Sequence, residues 1–262
     1  KNNQNKLLLC FIYILIFLYL TTDYLSLNDL IYSANQTDII SFYEIAKKSP
    51  QFPIQNEIVA KHDAQRFLVP YLIGLISYST NFDLFNTFKV LNFIFILLMV
   101  FIVLFLTKKL KLDFRSSLLF FSLFYFNPYT VRYGIFNPIQ VHDIIFFITG
   151  YLIGFGIIFE KKKTIFFLSI LSLFLRQTAI ASIINIFLFY IIKIKNFGKL
   201  NLILYFFSII VSFYIIIKVG NIMSTSNFPI SNAYNILFYD FTKVEELLRF
   251  LALPLVSFFP IL

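Results

Sequence analysis

The sequence predicts an all-α, polytopic integral membrane protein, and three observations carry that prediction. Hydrophobic residues make up 59% of the chain and charged residues only 13%, too little polar surface to cover a water-soluble core. The apolar residues fall in runs close to the roughly 20 residues that a bilayer-crossing helix needs. Clusters of lysine separate several of those runs, the pattern that orients membrane proteins. The single cysteine, Cys10, lies inside the first run, so no internal disulfide can form.

About eight transmembrane helices are expected, in one membrane domain covering 1–262. The first, 7–22, is not followed by a small-residue cleavage site, so it reads as a retained helix rather than a signal peptide. Spans at 84–106, 115–131, 143–159, 200–217 and 247–262 are continuous apolar runs. The run 164–192 exceeds one ordinary span and is interrupted by Leu175–Thr178 (LRQT), with lysines on both flanks. A single long helix would place a lysine cluster on each side of the membrane. The reading that avoids this is a hairpin of two short helices, 164–176 and 179–192, turning near Arg176. The chain starts at Lys1 and stops in an apolar run at Leu262, so further residues are expected at both ends.

Lysine placement sets the sidedness. Putting Lys1, Lys6 and segments 107–115, 160–163 and 193–199 inside gathers more than half of the 22 basic residues in short cytoplasmic segments. The N-terminus is then cytoplasmic. Of the 13 acidic residues only Asp113 and Glu160 remain inside. The net charge of +9 thus reflects orientation signals rather than a nucleic-acid surface. Residues 23–83 form a large extracytoplasmic loop with juxtamembrane helices. Within it 65–79 is apolar but broken by Pro70 and Gly74, which suits a re-entrant or interfacial helix. The stretch 37–48 (TDIISFYEIAKK) is amphipathic: Asp38, Ser41, Glu44 and Lys48 share one face, and Ile39, Phe42, Tyr43 and Ala46 the other.

A first span followed by such a loop, with an acid near its start, resembles the type C (GT-C) membrane glycosyltransferases, which include protein O-mannosyltransferases and the bacterial aminoarabinose transferase. Members often carry Asp-Glu-x-x-Tyr-x-x-Ile-Ala in this loop. The chain has Asp38, an aromatic in register at Phe42, and Ile45-Ala46, with Ile39 where many members have a second acid. Arg66, Phe67, Leu68 and Pro70 match an Arg-x-Leu-x-Pro entry to a short helix, Asp143 stands before a helix in the second outer loop, and Arg176 lies at the turn of a short-helix pair. The resemblance covers about residues 7–192. It implies a polyprenyl-phosphate-linked sugar donor, a lipid, glycan or protein acceptor, transfer with inversion and a prokaryotic plasma membrane.

The chemistry asks for little. A polyprenyl phosphate leaves as an anion unaided, so one base for the acceptor proton and cations near the phosphate suffice. The resemblance makes Asp38 the catalytic base; beside Thr37 it also reads as a helix N-cap. Asp143 would hold the acceptor or a metal, or cap its helix. Arg66, Arg176 and Arg132 are the cations for the phosphate, since a guanidinium donates two parallel hydrogen bonds to it. Each reads equally as a snorkelling or headgroup-contacting side chain. Both histidines precede an aspartate, His62-Asp63 and His142-Asp143, residue types that bind a divalent metal; neighbours on a helix point apart, so that set stays open. Glu44, Glu57, Asp63, Glu245 and Glu246 read most simply as solvated charges. A transporter or flippase for a lipid-linked or anionic substrate is the rival reading; it predicts polar residues at mid-membrane and two similar halves, and no internal repeat is present.

Overall fold

The computed structural model describes residues 37–117, 137–177 and 199–225, with residues 12, 13, 119, 179, 180, 183 and 184 besides. Within these the chain is helical: α1 (Thr37–Lys48), α2 (Lys61–Ala64), α3 (Leu68–Thr80), α4 (Leu84–Lys109), a 3₁₀ turn (Pro138–Gln140) running into α5 (Val141–Ile158), α6 (Lys162–Leu175) and α7 (Lys199–Met223). No strand occurs among the described residues; one isolated bridge pairs Asn56 with Ser224.

Three helices are long and apolar enough to cross a bilayer: Leu84–Lys109, Pro138–Ile158 and Ile203–Met223. They correspond to the expected spans 84–106, 143–159 and 200–217. Much of their apolar surface points away from the protein, through Val90, Ile94, Leu98 and Phe101 on α4 and Ile203, Phe207 and Tyr214 on α7. Water does not tolerate apolar faces of that extent, whereas lipid does. The expected span 164–176 appears as α6, whose 14 residues reach only about 21 Å. The expected spans 7–22, 115–131, 179–192 and 247–262 lie wholly or largely outside the described residues.

Packing fixes the helix directions. Phe88 lies with Ile139 in one buried cluster, Ile96, Met99, Val100 and Val103 with Ile144 and Ile148 in the next, and Phe105 stacks on Phe155. Helices α4 and α5 therefore run parallel. A tight turn at Glu160 (φ 53°) reverses the chain. Helix α6 then returns beside α5, close enough that a Cβ on Gly156 would clash with Ile165. Phe166 near the start of α6 meets Tyr205 near the start of α7. The bundle thus has one end bearing exposed Lys108, Lys109, Lys111, Lys161 and Lys163, and an opposite end built from α1–α3, the starts of α4 and α5, and the ends of α6 and α7.

That opposite end, called the loop end below, is a packed structure. Ile39, Phe42, Ile45 and Ala46 of α1 are fully or almost fully buried in one cluster with Val59, Ala64, Ile73, Phe88, Ile139, Leu175 and Met223. The apolar face of α1 is therefore covered by protein. Ser41, expected on the polar face, is buried, because its hydroxyl accepts the backbone N–H of Ala60 at 3.0 Å. Helix α3 is closer to the interfacial expectation: Val69, Pro70, Ile73 and Gly74 face inward, while Leu72, Ile76 and Tyr78 are exposed. Its 13 residues make about 20 Å, short of the roughly 30 Å hydrocarbon core. Asn81 in the left-handed conformation (φ 53°) ends it. Gly74 lets α3 lie directly on α1, since a Cβ there would strike the carbonyl of Ala46. Residues 55–59 are tied to the end of α7: the N–H groups of Gln55 and Asn56 donate to the carbonyls of Ile222 and Met223 at 2.9 and 2.8 Å, and the Ser224 hydroxyl donates to Val59 O at 2.5 Å.

Candidate active site at the loop end

Two charged groups of residues meet here. The first assembles on α1 and α2. Asp38 stands in the first turn of α1. The bond from Ala60 N–H to Ser41 brings the segment before α2 alongside it, and the single turn of α2 then presents His62 and Asp63. His62 Nε2 lies 3.3 Å from Asp38 Oδ1 and 3.1 Å from Asp63 Oδ1. One residue beyond α2, the C-cap Gln65 is followed by Arg66, whose Nη1 is 4.0 Å from Asp38 Oδ2 and whose guanidinium sits over the Phe42 ring at 6.0 Å. Asp38 is thus more than a helix cap.

Asp63, expected as a solvated charge, has no solvent exposure at all. Burial, together with the nearby Asp38 charge, pushes its carboxyl up to about 6 against the opposing pull of His62, Ser41 and Arg66. His62 is raised above its ordinary value, first by its hydrogen bond to Asp38 and then by the charges of Asp63 and Asp38, with burial and Arg66 opposing. His62 and Asp63, neighbours on the four-residue α2, meet at 3.1 Å.

The second group sits where α5 begins and α6 ends. Asp143, two residues inside α5, does not cap it; Gln140 occupies that position. Instead Asp143 Oδ1 lies 2.9 Å from Arg176 Nε, and Arg176 Nη2 donates to Asp143 Oδ2 at 3.3 Å. The helix break expected in 164–192 is present at Arg176, whose backbone is extended (φ −150°, ψ 126°); the path through most of 179–192 is outside the described residues. His142 is buried, packs edge-on against Phe42 with ring centroids 4.3 Å apart, and has Nε2 3.5 Å from Asp143 Oδ1.

Phe42 therefore separates and joins the two groups, with Arg66 over its ring and His142 at its edge. A second link is the Gln177 amide, which donates to the His62 carbonyl at 2.9 Å. The expected metal set of His62, Asp63, His142 and Asp143 does not assemble: Asp143 pairs with Arg176, His142 lies against Asp143 and Phe42, and His62 and Asp63 gather with Asp38. Ile39 is buried in apolar packing, and the acid close to Asp38 is supplied from α2 by Asp63. Arg132 lies outside the described residues, as do Glu245, Glu246 and the late polar loop beyond residue 225. Glu44 pairs with Lys47 at 3.7 Å, and Glu57 is exposed. Sequence reading missed Ser41 and Gln177. The polar break LRQT was a signal for Gln177; nothing in the pattern of α1 marked Ser41 as inward.

Comparison of the chain with protein-family models, curated proteins and solved structures returns no match. What the residues themselves define is a helical membrane protein with a half-buried cluster of carboxylates, imidazoles and guanidiniums at one end of its bundle.

Proposed function

We propose that the chain is a membrane glycosyltransferase of the GT-C kind, moving a sugar from a polyprenyl-phosphate carrier to an acceptor hydroxyl or amine on the extracytoplasmic face. The observation that carries this reading is the convergence of Asp38, tied to His62 and Arg66, with the Asp143–Arg176 pair at the end opposite the lysines. The positive-inside bias makes the lysine end cytoplasmic and the site extracytoplasmic.

In this reading Asp38, with about a third of its side chain exposed, accepts the proton of the acceptor as the acceptor oxygen or nitrogen attacks the anomeric carbon. The bond from that carbon to the phosphate oxygen breaks, and its electron pair leaves with the polyprenyl phosphate. His62 and Arg66 hold the Asp38 carboxylate in place. Arg176, still 40% exposed beside Asp143, is positioned by that pair yet open to a phosphate. A transporter would gather its charges at mid-membrane, whereas those of the described spans stand at their ends.

The test is consumption of a panel of radiolabelled polyprenyl-phosphate sugars by the full-length protein in membranes, with wild type and Asp38→Asn at matched expression. Turnover by wild type that the substitution abolishes is the expected result. Turnover that Asp38→Asn leaves intact would remove Asp38 from the chemistry, and no turnover with any donor and acceptor would remove the activity.

A further inference from the structure

We propose that Asp38, His62 and Asp63 form a binding site for a divalent cation of the Zn²⁺ or Mn²⁺ class. Geometry is the first argument. One ligand atom from each residue lies within 4.8 Å of the others, and the His62 nitrogen is 3.3 and 3.1 Å from its two carboxylate oxygens. Ligands about 2.1 Å from one cation, at angles between octahedral and tetrahedral, stand about 3.0–3.4 Å apart. The two edges that meet at His62 already have this spacing.

The second argument is Asp63. Its side chain is entirely buried, and its nearest polar partners are His62, at 3.1 Å, and the Ser41 hydroxyl. Burying a carboxylate so completely is costly, and such groups in native proteins are normally paired or coordinate metals. Asp63 lies in one cluster with His62 and Asp38, so a cation placed between the three balances two carboxylates that otherwise repel each other. Two carboxylates and one neutral imidazole suit a borderline cation better than Ca²⁺, which takes six to eight oxygens. With three protein ligands the remaining positions are open. The exposed sides of Asp38 and His62 give water or an acceptor a way in.

The site coincides with the one proposed to carry out transfer, but cation binding does not depend on that reaction. If both hold, a hydroxyl bound to the cation ionises more readily. Asp38 Oδ1 is then a ligand, while Oδ2, near Arg66, receives the proton.

The experiment is titration of the chelator-stripped, detergent-solubilised full chain with Zn²⁺ and with Mn²⁺ by calorimetry, no sugar donor being present. The expected result is one site per chain, with affinity at least 10-fold weaker in Asp63→Asn and in His62→Gln. Asp113→Asn, at the lysine end, binds as wild type. As a readout independent of any variant, electron spin-echo spectroscopy of the Mn²⁺-loaded wild type shows coupling to one imidazole nitrogen. Absence of a stoichiometric site, affinity unchanged in both ligand variants, or bound Mn²⁺ without nitrogen coupling would each overturn the assignment. Because no turnover is measured, these outcomes are separate from failure of the transferase reading.

Discussion

The two ends of this bundle handle charge in opposite ways. At the lysine end Lys108, Lys109, Lys111, Lys161 and Lys163 are exposed. Its acid Asp113 is fully solvated, accepts the Ser116 N–H at 3.2 Å and is held below the usual carboxylate range, chiefly by its hydrogen bonds to Ser116. Such charges cost almost nothing to keep and serve to orient the chain. At the loop end Asp63 is entirely buried, and Asp38, Arg66, Asp143 and Arg176 are only partly exposed. Charges withdrawn from water destabilise unless paired, and at this end they are gathered into pairs, Asp38 with His62 and Arg66 and Asp143 with Arg176. The difference teaches that charge is solvated at one end and must find protein partners at the other.

The sharpest contrast follows from the proposed transfer. Asp38→Asn is expected to lower sugar transfer by about 10²–10⁴-fold, the range for loss of a general base, while Asp113→Asn leaves it unchanged; radiolabel transfer at saturating donor checks both. Gly74→Ala drives a Cβ into the Ala46 carbonyl, and because backbone cannot yield as a side chain does, the cost is about 3 kcal/mol, read as a lower unfolding midpoint. The added methyl spares the lysine end, so proteolysis should open the loop-end helices first.

The buried carboxylate gives a pH signature. Asp63 in the fold is raised from 3.8 to about 6, so the fold holds its proton more tightly than the unfolded chain does. Its contribution is fully present below pH 3.8 and is lost as pH rises through about 6, on the order of 2 kcal/mol. His62 is also raised and adds a further loss as pH rises past its ordinary 6.5 and through its folded value. Thermal unfolding in chelator should therefore show declining stability from pH 4 to 7, and Asp63→Asn should flatten the lower part of that decline. Arg176→Met removes a partner from a pair that is 40% and 20% exposed, so solvent screening limits the expected loss to about 1–2 kcal/mol. Asp113→Asn, in full solvent, has the smallest effect on stability of all.

Much of this was legible in the chain. Runs of apolar residues near the length of a bilayer announced α4, α5 and α7, because the membrane imposes a length that composition cannot disguise. The break at Arg176 was legible for a related reason: a guanidinium and an amide interrupting an apolar run need partners. Asp38, Arg66, Asp143 and Arg176 stood out as charges beside apolar helices. Amphipathic period alone, however, cannot tell lipid from protein as the occupant of an apolar face. The inward faces of α1, the burial of Ser41 and the convergence of Asp38 on residues 24 and 25 positions later followed from packing.

The sequence by itself therefore determined the solvent of this protein, the length and spacing of its long helices and the separation of lysines from carboxylates, since each depends on composition along a short window. Only the tertiary structure decided partners. It gave Asp38 to His62 and Arg66, gave Asp143 to Arg176 rather than to a metal with His62, and buried Asp63 among groups contributed by α1. Those pairings depend on how α1–α3 pack on the ends of α5, α6 and α7, and no local pattern encodes contacts between residues so far apart in the chain.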